Sequence, residues 1–369
     1  MFFIVFLVAL TFFCGTYLAY FLYMRNCAKR PWNLKIDHNF CPEVSILVPM
    51  YNEESNIESK LENLKAVSYP RERMEIIVVD DSSEDGSVKV VESFMERNPE
   101  LGIKLVRQSP RGGKSVALNK ALKVASKPIV IVSDADTLWP PKVLREALPY
   151  LSDPSVGAIT GRGVGKGEEE SWAIRAEHTY LEYVNLIRLG ESKLHSTIRF
   201  EGGFCAFKRE AFESFDCETG ADDSGTALEV IQNGYRSILV PKAVFYASFP
   251  ISLALRLKAK VRRANQLIGL WFKCLKLLLK RKLLLPKRIV VPEVTLFIIN
   301  PIIFLILMIF GVIVVLNPLS PFGLAIILSV VCLLLFARRL FLEVFLDNFV
   351  LLYALIAHVF KRRYIAWES

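Results

Sequence analysis

The chain has 369 residues, is 53% hydrophobic and carries a net charge of +9, enough for one large domain with apolar segments besides. Twelve of its lysines and arginines lie between Ile251 and Pro292, a stretch with no acid. That stretch more than accounts for the net charge, so no basic surface is left to the rest of the chain and a nucleic-acid partner is not expected. Seven cysteines without a C-x-x-C pair and four scattered histidines give a zinc centre or a histidine-based triad nothing to build on.

In chain order, residues 1–24 come first. Phe2 to Tyr23 is almost wholly apolar and long enough to cross a bilayer at about 1.5 Å of rise per residue. No basic segment precedes it and no small-x-small site follows, so it reads as an anchor rather than a cleaved leader. Arg25, Lys29, Arg30 and Lys35 follow directly, which by the positive-inside bias places the next domain in the cytoplasm of a multi-pass membrane protein.

Residues 40–250 alternate short apolar runs with helical patterns. Val44–Val48, Glu75–Val79, Ile103–Val106 and Pro128–Val132 read as strands; Glu54–Ala66, Ser87–Arg97 and Lys114–Ala125 read as the helices between them. Continuous apolar strands separated by amphipathic helices predict an α/β fold, a mostly parallel sheet covered on both faces, with ligands at the carboxyl ends of the strands. Those ends are polar: Pro49-Met50-Tyr51-Asn52-Glu53, Asp80-Asp81-Ser82-Ser83 and Ser133-Asp134-Ala135-Asp136. Core packing has no use for carboxylates there. The D-x-D pair suits a divalent cation on one side and a polar ligand group on the other, although helix caps produce the same pattern.

Arg111-Gly112-Gly113-Lys114 precedes a helix. Its glycines would let backbone approach a phosphate and its lysine adds charge at a helix start, but the spacing is not that of a Walker loop. Glu201-Gly202-Gly203-Phe204 precedes a short strand, and Ala221-Asp222-Asp223-Ser224 opens the helix Gly225–Asn233. Capping explains one of these last acids; a carboxylate base explains why they follow two other acidic sites.

In residues 251–290 the basic side chains interleave with Leu267, Ile268, Leu270, Trp271, Leu275, Leu277 and Leu278, the pattern of an amphipathic helix on anionic lipid headgroups. Residues 294–360 hold three apolar segments, 294–316, 322–337 and 340–360. The last contains Glu343 and Asp347, which are costly in hydrocarbon unless they face protein; a span is expected there, with a surface-lying helix as the alternative.

Taken in order, Val48-Pro49-Met50-Tyr51-Asn52-Glu53, Asp80 to Asp85, Gly113 to Asn119, Asp134-Ala135-Asp136, Glu201-Gly202-Gly203 and Asp222-Asp223 resemble the motifs of family 2 glycosyltransferases with the GT-A fold. The resemblance covers about residues 42–250. It implies inverting transfer from a UDP- or GDP-sugar, with Mg²⁺ or Mn²⁺. By matching positions, Pro49, Tyr51, Glu53, Asp80 and Asp81 would hold base and ribose, with Asp134 facing the nucleotide. Asp136 would bind the metal, Lys114 would meet the diphosphate, and Glu201, Gly202 and Gly203 would lie on the acceptor side. Asp223, beside Asp222, would be the general base. Flanking membrane segments resemble the cellulose, hyaluronan and chitin-oligomer synthases. Their Q-x-x-R-W motif is not intact, however: Lys260-Val261-Arg262-Arg263-Ala264-Asn265-Gln266 keeps arginines but has no tryptophan. Arg262 and Arg263 could still neutralise a leaving diphosphate. Transfer of one or few sugars to a membrane-associated acceptor (glycolipid, polyprenyl phosphate or glycan) is the expectation. Alternatives are a processive polysaccharide synthase, a sugar-phosphate nucleotidyltransferase and a non-catalytic membrane scaffold.

Overall fold

The structure is a computed structural model that describes residues 2–166, 172–248, 253–316, 323, 324, 328 and 338–360. The described residues pack as two units, one within Met24–Pro250 and one within Met1–Tyr23 and Ile251–Tyr364. Helix α1 spans Phe2–Ala28.

The α/β unit then runs β1 (Val44–Met50), α2 (Ile57–Lys65), β2 (Met74–Asp80), α3 (Ser87–Arg97), β3 (Lys104–Arg107), α4 (Lys114–Leu122), β4 (Ile129–Val132), β5 (Thr137–Leu138) and α5 (Val143–Ala147). After these come β6 (Val156–Lys166), α6 (Trp172–Leu194), β7 (Cys205–Lys208), α7 (Asp222–Gln232) and β8 (Arg236–Ser248). One sheet takes the strands in the order β3-β2-β1-β4-β7-β6-β8-β5.

Strands β3, β2, β1 and β4 are parallel, as the apolar runs predict. Beyond them the sheet is mixed: β7 is antiparallel to both β4 and β6, β8 is parallel to β6, and β5 is antiparallel to β8. Alternate residues of each inner strand enter different cores. Ile46, Val48, Ile76, Val78 and Ile131 pack with Ile57, Leu61, Leu64, Val91 and Phe94 of α2 and α3. Leu47, Ile77, Val79, Val130 and Val132 pack with Ala117, Leu118 and Ala121 of α4 and with Phe207, Phe212 and Phe215. A strand buried on both faces has no polar position to spare, which is why these segments read as unbroken apolar runs.

Register brings the strand ends to one edge of the sheet: Met50 pairs with Asp80, Asp80 with Arg107 and Leu47 with Val132. The loops after β1 and β2 are tied together there. Asn52 N donates to Ser83 Oγ at 3.0 Å, Glu53 N to Ser87 Oγ at 2.8 Å, and Glu84 N to Asn52 Oδ1 at 2.9 Å. Asn52 and Ser82 have φ of 53° and 64°, left-handed values that a non-glycine residue holds only where its surroundings fix them.

The helical unit contains most of α1, then α8 (Leu253–Leu279), α9 (Lys287–Val294), a π turn at Thr295–Ile299, α10 (Asn300–Leu316) and α11 (Arg338–Val359). Among the described residues two helices, Ile4–Ala28 and Lys287–Ile313, are long and apolar enough to cross a membrane. Segment 322–337 and the basic tail after Phe360 lie almost wholly outside the described residues. Helix α11 runs parallel to α8 along a polar seam: Arg256 reaches Glu343 at 3.0 Å, Lys260 reaches Glu343 at 3.1 Å and Asp347 at 2.6 Å, and Asn265 donates to the Ala354 carbonyl at 3.2 Å. The two acids thus meet protein rather than lipid. Of the basic side chains expected to meet headgroups, Arg256 and Lys260 instead point at α11, while Lys258, Arg263 and Lys276 are exposed.

Candidate active site

Helix α4 starts at Lys114, and the loop before it is held from below by Asp81. One Asp81 oxygen accepts from Gln108 Nε2 at 2.7 Å and from Gly112 N at 2.8 Å; the other accepts from Gly113 N at 2.8 Å. Two expectations shift in consequence. Asp81, buried and engaged in three bonds, anchors a loop instead of facing a nucleotide. The Gly112 and Gly113 amides, satisfied by that carboxylate, are not offered to a phosphate. The glycines serve the turn itself, since Gly113 has φ of 86° and a Cβ on Gly112 would lie 2.5 Å from Gln108 Nε2.

The loop aims Lys114 at a cluster of acids. Its ammonium lies 2.8 Å from Asp134 Oδ1, 3.2 Å from Asp222 Oδ2 and 3.3 Å from Asp223 Oδ2. Asp134 comes from the turn after β4, and its N–H donates to the Gly202 carbonyl at 2.9 Å. Asp222 and Asp223 open α7 behind an Ala221 cap that makes no side-chain bond. Neither acid caps its own helix; both are buried and turned to Lys114. Burial opposes the lysine's charge, but Asp134, Asp222 and Asp223 outweigh it and hold its pKa well above the usual value. The acids pay in the other direction. Burial, then the Asp222 carboxylate, pushes Asp223 up to about 8, and burial raises Asp222 as well. Asp223 Oδ1 is buried with no hydrogen-bond partner among the described residues.

The floor is glycine for a steric reason. A Cβ on Gly202 would run into the Lys114 ammonium and stand 2.6 Å from Asp134 Oδ2; one on Gly203 would run into the Phe245 ring. Glu201 beside them is fixed by Arg188 of α6, a fully buried guanidinium 2.6 Å from Glu201 Oε1 and 2.9 Å from Asn185 Oδ1.

On the other side of the turn Asp136 is exposed; desolvation in the cleft, then Asp134, raises its pKa. Among the described residues no group of three or more acids, histidines or cysteines could hold a metal alone. Two carboxylates with oxygens from a ligand are nevertheless an ordinary Mg²⁺ or Mn²⁺ donor set. Farther along the strand ends, Asp80 is buried and accepts from Ser83 N at 3.1 Å. Tyr51 has the Arg111 guanidinium 3.6 Å from its ring centroid. Glu53 is raised to about 7, by burial first. Pro49 lies within β1, paired with Val79. Arg262 and Arg263 belong to α8 of the helical unit.

Sequence reasoning missed Lys60, Asn63, Arg188 and the role of Asp81. Lys60 left a signal: it stands on the same stripe of α2 as Ile57, Leu61 and Leu64, all fully buried, where a charge is out of place. Burial lowers its pKa to about 7.

Residues 45–215 match the family model described as glycosyl transferase family 2. The chain is 28% identical over 285 residues to the "Probable glycosyltransferase YdaM" of Bacillus subtilis, a stretch covering 73% of this chain and 65% of that protein. It is 35% identical over 121 residues to the β-monoglucosyldiacylglycerol synthase of Synechocystis, covering 33% and 25%. The chain thus spans about two-thirds of the first relative's length and a quarter of the second's. Among solved structures, the mannosyltransferase PcManGT of Pyrobaculum calidifontis, in complex with GDP-Man and Mn²⁺, superposes with a TM-score of 0.85 at 29% identity over 98% of this chain and 100% of that one. The acid-lined edge at the strand ends thus lies in a fold similar to GT-A, and residues 45–215 form a family 2 glycosyltransferase domain, which supports an enzyme of the transferase class.

Proposed function

We propose that this enzyme transfers a sugar, with inversion at the anomeric carbon, from a UDP- or GDP-sugar to a hydroxyl or phosphate of a membrane-associated acceptor. The observation that carries the reading is Asp223, a buried carboxylate raised to about 8 whose Oδ1 has no hydrogen-bond partner among the described residues and whose other oxygen is 3.3 Å from Lys114. A carboxylate in that state suits a general base. Asp223 takes the acceptor proton as the acceptor oxygen bonds to the anomeric carbon and the bond to the diphosphate breaks. Asp222 keeps the base's pKa high, and Lys114 fixes its orientation. Tyr51, Glu53 and Asp80 line the nucleotide side, and Glu201, pinned by Arg188, lines the acceptor side. Asp136 with Asp134 would hold Mg²⁺ or Mn²⁺, which when bound neutralises charge on the departing diphosphate.

Several facts support this choice. The full-length structural relative was solved with GDP-Man and Mn²⁺, and another relative is named for a glycolipid product. Two apolar helices and the exposed lysines of α8 suit a lipid-borne acceptor, with the α/β unit on the cytoplasmic side. The test is to incubate the purified chain with a panel of UDP- and GDP-sugars and with polyprenyl phosphate, diacylglycerol or free glycan, then read products by mass spectrometry and the linkage by NMR. An inverted linkage lost in Asp223→Asn is expected. Retention of configuration, or wild-type turnover by that variant, overturns the proposal.

A further inference from the structure

The turn that carries Asp134 and Asp136 is gripped from behind by helix α2, through two residues the chemistry above does not use. Lys60 is fully buried, yet its ammonium is hydrogen-bonded: it donates to Ser133 Oγ and, at 2.8 Å, to the Thr137 carbonyl, the residues on either side of the turn. It also lies 4.7 Å from the centroid of the Trp139 ring. One helical turn on, Asn63 clamps the same segment: its Nδ2 donates to the Trp139 carbonyl and its Oδ1 accepts from Trp139 N, both at 2.8 Å. The grip extends to the glycine floor, because Ser133 Oγ donates to the Gly203 carbonyl at 3.1 Å and Trp139 Nε1 to the same carbonyl at 2.7 Å. Within the turn, Thr137 Oγ1 donates to the Asp134 carbonyl at 2.9 Å.

A purely structural staple here needs no charge. Neutral donors would serve, and a buried ammonium is expensive unless its surroundings compensate it. The two acids of the turn, whose fields both reach Lys60, offset part of that cost, although burial outweighs them. The fixed direction of two short carboxylate side chains depends on the backbone that carries them, and that backbone is closed on itself by the Lys60 bridge from Ser133 to Thr137.

We propose that Lys60 is a positioning residue for the cation site: by joining Ser133 to Thr137 it sets the turn that carries Asp134 and Asp136, the acids that would hold the metal of the donor diphosphate. This rests on the assignment of Asp136 and Asp134 to the metal. Residues that orient ligands from behind typically contribute about 10–100-fold to metal affinity. The full-length chain is titrated with Mn²⁺ in the presence of excess GDP or UDP, and free Mn²⁺ is counted by electron paramagnetic resonance. Activity is measured in parallel as a function of Mn²⁺. In Lys60→Met the Mn²⁺ half-saturation is expected to rise at least about tenfold, with kcat recovered at saturating metal. A merely structural loss would lower kcat equally at every metal concentration. Lys60→Arg, which keeps the charge and donors, is expected to fall between. An unchanged Mn²⁺ half-saturation in Lys60→Met overturns the inference. If that variant does not fold, Ser133→Ala carries the test: it removes one end of the bridge, and wild-type Mn²⁺ affinity there overturns it equally. Asp136→Asn separates the two layers of the argument. If it binds Mn²⁺ as wild type does, the metal assignment fails; if it loses Mn²⁺ while Lys60→Met keeps it, only the role of Lys60 fails.

Discussion

Replacing Asp223 by Asn should abolish turnover and, at alkaline pH, make the protein more stable. The carboxyl is raised from 3.8 to about 8 in the fold, by burial first and the neighbouring Asp222 carboxylate second. A carboxyl whose folded pKa lies above its unfolded value binds its proton more tightly when folded. Its cost to stability is therefore absent below about pH 3.8, grows as pH rises to about 8, and is complete above that. At about 1.36 kcal/mol per tenfold change, the rise sets a ceiling of about 6 kcal/mol. Asn loses the attraction of Lys114, and Asp222 takes up part of the relief, so we expect a gain of about 2–4 kcal/mol at pH 9. For a unit of this size that is a rise in Tm on the order of 5–10 °C. The assay is thermal unfolding of wild type and Asp223→Asn in metal-free buffer from pH 5 to 9. The gap between the two curves should be smallest at pH 5 and widen steadily up to about pH 8. Parallel curves across that range would refute the claim that the fold holds this carboxylate against its own charge.

Other outcomes can be checked separately. Asp222→Asn removes the like charge beside the base, so the acid limb of kcat/KM should move to lower pH; a limb that stays in place rejects Asp223 as the titrating base. Gly202→Ala places a methyl against Lys114 and Asp134; we expect activity to fall at least about 100-fold with the circular dichroism spectrum unchanged. Arg188→Met leaves Glu201 without its buried partner and should destabilise the α/β unit by about 3–5 kcal/mol in denaturant unfolding. Glu343→Leu takes the shared carboxylate from Arg256 and Lys260. Its cost should be of similar size, about 3–5 kcal/mol, read as lost thermal stability in detergent.

The inner strands could be read from the sequence because burial on both faces forces unbroken apolar runs, and α3 begins and ends where its pattern does. The mixed half of the sheet could not. Val156–Lys166 is interrupted by four glycines, and its partners are β7 and β8, far along the chain; no local pattern names them. Asp134, Asp136, Asp222 and Asp223 stood out because they recur in order with other acids at the strand ends, where core packing has no use for carboxylates. Asp81 looked the same as Asp80 in the sequence, and only the path of the Gln108–Gly113 loop separates an anchor from a lining residue. Glu343 and Asp347 were conspicuous, but their partners lie more than eighty residues earlier, and an ion pair has no sequence spacing to betray it.

The polar seam between α8 and α11 also decides where the chain can be cut. Each of its acids lies in the last described helix and its cations lie before the apolar helices, so the seam closes only after Asp347 has been made. A chain ending before Arg338 would keep Arg256 and Lys260 with those carboxylates gone. Helix α8 therefore cannot be inherited, trimmed or transplanted without α11; the two form one cassette whose halves are separated by the whole apolar insert.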